Sequence, residues 1–484
     1  MSHKGSSTLP PGPKGLPFIG NLFDMPLDYP WKTFAKWGEE YGDLVSVKVL
    51  GQTYVVLNSL EHTIELFEKR GAIYSDRPSL TVCGEIAGWE RTIILSHYDE
   101  RLRSLRRLFT PLFGTRKNVE QFVHVLEEQS HHFLLRVLNN PKDLEGQVRK
   151  SAAALILAIS HGYRIREEDD HLVTISRRAN DDFAALTLPG AFAADLVPTL
   201  KHVPAWFPGA GWKRYAQVAR ENVRAMHDAP HEYVKEQMAK GTATPSFVSL
   251  HMSECITDER ETLIKDAAGS IYGAGSDTTV SAICTFFLAM TCYPEVQKIA
   301  QREIDTVIGT DCLPCYADRD RLPYVNALML EVIRWHPVAP LGGYRRLTQD
   351  DVYKGYTFPE GTYVVPNVWK FLHDPETYAD PFQFNPGRFL PSHDRNPEMD
   401  PRSLAFGFGR RMCPGSNFAD ASIFMSIVRS LAAFDISKLV VNGRIVEPAQ
   451  EYSSGVVSHP KSFPLSVTPR SPKMEALIRA IQLY

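Results

Sequence analysis

The segment FGFGRRMCPG, residues 406–415, sets one cysteine among three glycines, a proline and two adjacent arginines. Beyond it, Phe418, Ala421, Met425, Val428 and Leu431 recur at helical spacing. The pattern predicts a buried helix that begins just past Gly415, with its N-terminus facing Cys413. A helix N-terminus and nearby backbone N–H groups stabilise a thiolate. Gly409 and Gly415 would let the backbone pass close to a flat ligand, and Pro414 withholds an N–H while fixing the turn. A buried structural cysteine in a glycine-rich loop is the alternative. A dinucleotide loop does not fit, because Met412 occupies the place of the third glycine in G-x-G-x-x-G.

Cys312 and Cys315 have the C-x-x-C spacing of a redox or zinc half-site, yet no second pair or paired histidines accompany them. They are expected in a loop between helices. The seven cysteines (Cys83, Cys255, Cys284, Cys292, Cys312, Cys315, Cys413) are odd in number and scattered, which disfavours a disulfide scaffold and favours a reducing, cytosolic setting. A net charge of -3 over 484 residues lacks the basic excess of nucleic-acid binders, so nucleic acid is set aside. No run of 18 apolar residues occurs, and no signal-peptide core precedes the proline-rich start, so the chain as given is expected to be soluble.

These residues need a scaffold. Residues 43–59 are rich in valine and alternate around Gly51-Gln52, which predicts a hairpin and a small sheet near the N-terminus. Helical periodicity dominates 97–338, broken at 188–211 and 239–247, and short strands are predicted from VYKGYTFPEGTYVVP and DISKLVVNGRIV. With no repeat or composition break, one mixed, mainly helical domain is the simplest account. Within it, 261–292 runs about 48 Å if wholly helical, far enough to cross the domain. Its glycines Gly269, Gly273 and Gly275 each cost about 1 kcal/mol against alanine. Either they permit close helix packing, or they hold a helix face against a flat cofactor with Asp277 and Thr278 distorting the helix locally. Asp-Thr-Thr could also be an N-cap.

Phe406, Gly409, Arg411, Cys413 and Gly415 resemble the F-x-x-G-x-R-x-C-x-G signature of the cytochrome P450 family. The resemblance implies that Cys413 is the thiolate ligand of haem b iron, that Arg411 pairs with a haem propionate and that Phe406 packs beside the thiolate. AGSDTT, 274–279, resembles the family's A/G-G-x-D/E-T-T element, which makes Asp277 and Thr278 the proton relay for oxygen reduction. Glu331 and Arg334 fit its E-x-x-R, although Glu100 to Arg103 and Glu221 to Arg224 share that spacing. FNPGRF, 384–389, resembles the P-x-R-F element and adds Arg388, for a buried structural network with Glu331 and Arg334. YDERLRSLRRLFTPLF resembles the W-x-x-x-R helix, with Arg106 as a second propionate partner but Leu102 in place of the tryptophan. One propionate hydrogen bond is thus missing or supplied elsewhere. Arg345 lies where the family commonly puts another.

The resemblance covers nearly the whole chain and implies a mainly α fold with small β-sheets and a long central helix over the haem. It divides the chain into a truncated N-terminus and proline-rich hinge, 1–20, and one catalytic domain, 21–484. The implied activity is a monooxygenase that inserts one oxygen atom from O2 into a lipophilic substrate, with electrons from NADPH through NADPH–cytochrome P450 reductase. Arg101, Arg103, Arg106, Arg107 and Arg410 lie near the expected docking side. The pocket is expected to be lined from 79–93, 188–211, 267–275, 338–343 and 453–458, including Val338, Ala339, Leu341, Val456 and Val457. The start of the chain is similar to that of microsomal members whose membrane anchor has been removed, a natural soluble form being the alternative, and the PAWFPGAGW loop is similar to fungal ones. That loop either dips Trp206, Phe207 and Trp212 into a bilayer interface or packs on the core. A monomer on the cytosolic face of the endoplasmic reticulum follows. A haem-thiolate isomerase, dehydratase or peroxygenase would need no acid–alcohol pair, and a helical scaffold or metal-binding module would have no reason to combine all four motifs in this order.

Overall fold

A computed structural model describes residues 8–188, 190–253, 257–393 and 395–480, which leaves Cys255 and both chain ends outside the described residues. The valine-rich segment forms the hairpin β1 (Leu44–Val49) and β2 (Gln52–Leu57), closed on Leu50-Gly51 with Gln52 already paired to Val49. Two later segments, β3 (Arg345–Arg346) and β4 (Tyr363–Pro366), complete a sheet of order β1-β2-β4-β3. β4 runs parallel to β2 and antiparallel to β3. This pairing carries Arg345 from the sheet edge into the interior, where it is buried. The proline-rich start is bonded to the same sheet, since Ser46 donates to Pro11 O through its N–H and to Pro10 O through its hydroxyl.

Helices make up most of the rest: α1 (Glu100–Phe113), α2 (Val123–Asn139), α3 (Leu144–His161), α4 (His171–Leu186), α5 (Gly211–Ala239), α6 (Asp258–Cys292), α7 (Pro323–Trp335) and α8 (Ser416–Ala433). At 35 residues α6 is the longest, and Thr257 caps it by accepting from the Arg260 N–H. It is apolar on nearly all sides because it passes through the core, in contact with α1, α3, α5, α7 and α8. The helix is continuous through Asp277 and Thr278, and Thr278 Oγ1 donates back to Ala274 O at 2.8 Å.

Two of the α6 glycines answer to packing. A Cβ on Gly269 would lie 2.3 Å from Nδ1 of His227 on α5, and one on Gly275 would lie 2.4 Å from Cδ1 of Ile156 on α3. Both contacts are closer than any Cβ tolerates, so these two glycines admit neighbouring side chains, whereas a Cβ on Gly273 would come no closer than 3.3 Å to its nearest neighbour, the Met226 methyl.

Glu331, Arg334 and Arg388 lock α7 to the segment that precedes the cysteine loop. Arg334 Nε sits 2.7 Å and Arg388 Nε 3.2 Å from Glu331 Oε2, with all three side chains essentially inaccessible. The remaining donors are satisfied: Arg334 reaches Leu372 O and Pro381 O, Arg388 reaches Glu398, and Asn385 N–H donates to Glu331. Full satisfaction separates this network from an ordinary i, i+3 pair. Glu100 and Arg103, at the same spacing, make only an exposed 3.5 Å pair.

Candidate active site

Cys413 lies in the loop between the Gly409–Arg411 turn and α8. Its N–H donates to Phe406 O at 2.8 Å, which closes the loop, and α8 begins at Ser416 as expected. Gly409 adopts φ +51°, and a Cβ there would lie 2.2 Å from Phe67 O. Backbone contact with Phe67, and not passage of a flat ligand, is what requires this glycine. Gly415 differs, for a Cβ there would meet nothing within 4 Å. The cysteine itself is half-buried. Burial pushes the Cys413 thiol up, while the Gly415 N–H and the Arg106 charge pull it down without cancelling the rise. A neutral thiol of this kind becomes a thiolate when a metal displaces its proton.

Four arginines converge beside this loop: Arg77, Arg345 and Arg411, all buried, and the half-buried Arg106. Arg411 donates to Ser75 O, Ile93 O and Ser96 O. Arg77 donates to Ile94 O and Tyr344 O, and Arg106 to Met412 O. Arg345 donates to Phe408 O, lies 5.0 Å over the Phe67 ring and leaves its buried Nε without a partner among the described residues. Among the described residues, none of the four forms an ion pair. Burial, then repulsion from Arg77, Arg411 and Arg106, drives Arg345 well below the usual arginine range. Burial and Arg77 lower Arg411 to about 9, and burial lowers Arg77 to about 10. Asp76 attracts Arg77 and Arg411 without pairing to either, so the cluster keeps an excess of buried positive charge that an anion would relieve. Haem, with two propionates, fits that requirement.

The expected motifs contain Arg106, Arg345 and Arg411 but not Arg77. It lies in YSDRPSL, where nothing in the spacing distinguishes it from a surface arginine. Leu102, in the tryptophan's place, is fully buried in the core.

On α6, Asp277 and Thr278 look in different directions. Thr278 is half-buried and stacks one turn above the exposed Ala274, which marks an accessible strip on this face. Asp277 Oδ1 instead lies 3.0 Å from Arg149 Nη1 on α3 and 3.2 Å from His459 Nε2. Burial raises the Asp277 pKa, but the hydrogen bond from His459 and the charges of His459 and Arg149 outweigh it, so the carboxyl is held low. Neither partner belongs to a motif.

Several expected surfaces are altered by pairing or packing. Arg101 is bound to Asp266 at 2.7 Å, Arg107 lies 3.0 Å from Glu100, and Arg410 donates to Tyr98 Oη. Leu341 belongs to a core cluster with Trp31, Phe34 and Val365, which removes it from the pocket lining; Val338, Ala339, Val456 and Val457 are only half-buried. Cys312 is exposed, Cys315 donates to Asp318, and the described residues contain no group of three metal-capable side chains.

The model of the cytochrome P450 family matches residues 10–467. The chain belongs to the cytochrome P450 family. It is 53% identical over 473 residues to cytochrome P450 monooxygenase 208 of Postia placenta, covering 98% of this chain and 92% of that protein. It is 47% identical to cytochrome P450 monooxygenase claR of Ampulloclitocybe clavipes, covering 98% and 89%. It is also 38% identical to the tryptamine 4-monooxygenase of Psilocybe cyanescens, covering 96% and 94%. This P450 is therefore a haem-thiolate monooxygenase with a redox partner and an organic small-molecule substrate, related to fungal enzymes.

Proposed function

We propose that Cys413 is the thiolate ligand of haem b and that Arg77, Arg106, Arg345 and Arg411 hold its propionates, with Phe406 and Gly415 bordering the ring. The carrying observation is the cluster of unpaired, mostly buried arginines beside a half-buried cysteine. Charge-assisted hydrogen bonds from such arginines are worth roughly 1.5–3 kcal/mol each. Arg77 supplies the contact that Leu102 cannot make.

When bound, thiolate-ligated haem activates O2, so that one oxygen atom enters the substrate and the other leaves as water. Thr278 Oγ1, on the accessible strip of α6, would be the protein's proton donor on that side, and Asp277 could resupply it only once its hold on Arg149 or His459 loosens. The Glu331–Arg334–Arg388 network keeps the cysteine loop in place. Val338, Ala339, Val456 and Val457 give the substrate space an apolar wall, which suits a lipophilic molecule; one relative's name specifies tryptamine as its own substrate.

Electrons come from NADPH–cytochrome P450 reductase, docked over the α1 arginines that remain exposed, Arg103 and Arg107. Phe18, Trp206 and Phe207 are 100%, 77% and 50% exposed, which suits a monomer seated on the cytosolic face of the endoplasmic reticulum. Co-sedimentation with phosphatidylcholine vesicles should be lost in Trp206→Ser/Phe207→Ser; full retention would remove this loop from the membrane contact.

The central test is spectroscopic. Reduced protein with CO should show the red-shifted band of thiolate-ligated haem, and Cys413→Ala should abolish it. Arg411→Ala should keep the band but release haem more readily. An unchanged CO spectrum in Cys413→Ala sinks the assignment.

A further inference from the structure

His459 closes the turn 453–459, which the proposed function sets beside the substrate space. Its N–H donates to Ser453 Oγ at 2.9 Å, and Ser453 N–H returns a bond to His459 O at 2.8 Å. The turn is fastened on both sides. Ser458 N–H donates to Val338 O at 2.9 Å, Ser281 Oγ on α6 donates to Ser458 O at 2.5 Å, and the Ser458 hydroxyl lies 2.8 Å from His336 Nε2 just after α7. From this clamped turn the His459 ring reaches Asp277, the acid next to Thr278.

Two donors share one oxygen there. His459 Nε2 is 3.2 Å and Arg149 Nη1 3.0 Å from Asp277 Oδ1, and Arg149 is tied to Glu145 at 2.9 Å one turn earlier on α3. The charged and titratable groups facing the site are Arg149 and Glu145 from α3, Arg177 and Asp181 from α4, Asp277 from α6 and His336 after α7. Arg149 carries a permanent charge with a second anchor. His459 has no second anchor, since its buried Nδ1 is without a partner among the described residues. It is the partner that can let go.

We propose that His459 is a positioning residue for the proton-donating pair, tying the Asp277 carboxylate to the substrate-bordering turn so that occupancy of the substrate space governs how Asp277 is held and protonated. The inference rests on the reading of Asp277 and Thr278 given above. A carboxylate fixed by both partners stays anionic and still. To carry a proton toward Thr278 it must loosen one of them, and a substrate pressing on residues 453–458 moves the one built into that turn. Proton supply is thereby matched to the presence of something to oxidise.

The test uses holoenzyme with its reductase. His459→Gln keeps a hydrogen bond to Asp277, and His459→Phe keeps only bulk. Both should retain the parent's CO spectrum. Product formed per NADPH should fall about fivefold in His459→Phe, the factor a lost interaction of about 1 kcal/mol gives. In His459→Gln that ratio should recover most of the loss. A readout independent of turnover is the infrared absorption of the protonated Asp277 carboxyl in the CO complex, assigned by its loss in Asp277→Asn. It should appear at higher pH in His459→Phe than in the parent, because a bond that holds the carboxyl low is gone. A His459→Phe enzyme as tightly coupled as the parent, or an unmoved carboxyl titration, overturns the proposal. Should Asp277→Asn itself leave turnover unchanged, the underlying reading of Asp277 fails instead.

Discussion

Thr278 and Asp277 are adjacent in the chain but differ in surroundings, and the difference predicts different failures. Among the described residues the Thr278 hydroxyl is bonded only to the Ala274 carbonyl of its own helix, so its removal should leave the fold untouched. Thr278→Ala should keep the CO spectrum and the substrate-induced spectral shift and still consume NADPH, yet divert electrons to hydrogen peroxide. Asp277→Asn should slow turnover itself, since it disturbs a carboxylate gripped by Arg149 and His459. The quantity to measure is product per NADPH, and a Thr278→Ala enzyme as tightly coupled as the parent would make this threonine merely structural. The pair is legible in the sequence because AGSDTT is contiguous. Arg149 and His459 are not, because they lie 128 and 182 positions away and meet Asp277 only through the packing of α3 and a C-terminal turn. Arg77 was hidden for the same reason: an isolated arginine becomes unusual only when three others converge on it in a buried place.

At the scale of elements, periodicity located the helices well because burial of one face repeats every turn. The start of α8 past Gly415 and the long run of α6 both follow from it. The purpose of each glycine does not, since a glycine's neighbour can come from anywhere in the chain. Gly409 and Gly415 stand six residues apart in one loop and should respond oppositely to alanine. At Gly409 a methyl meets Phe67 O at 2.2 Å in a left-handed backbone, so Gly409→Ala should destabilise the protein by about 2 kcal/mol or more. At Gly415 a methyl projects into open space, so Gly415→Ala should fold normally and instead weaken haem retention. Thermal midpoints of the two variants, read beside their haem content, decide the matter. Equal midpoints would show that the loop yields at Gly409 and that its contact with Phe67 is not a fixed support.

Across the whole molecule, the core encloses histidines that the fold keeps neutral. His161, at the end of α3, is lowered to about 3 by burial and then by the neighbouring His231 and His227 of α5. His373 is lowered to about 3 by burial and then by Arg334 of the buried network. In the unfolded chain such a histidine takes up a proton near pH 6.5. The unfolded state therefore binds the extra proton, so the stability these residues contribute is complete above about pH 6.5 and is lost progressively as the pH falls toward their folded values. Each adds a slope of about 1.4 kcal/mol per pH unit inside that window. The thermal midpoint should accordingly be level between about pH 7 and 8 and drop steeply from about pH 6 to 5. His161→Gln/His373→Gln removes two of these sites while leaving amide groups to make hydrogen bonds, so its midpoint should fall less steeply over the same interval even if it starts lower. Unfolding followed by circular dichroism, with haem absorbance as a second probe, measures both slopes. A double variant that retains the parent's full acid slope would place the acid sensitivity elsewhere, in carboxylates such as Asp277 whose pairing holds them low.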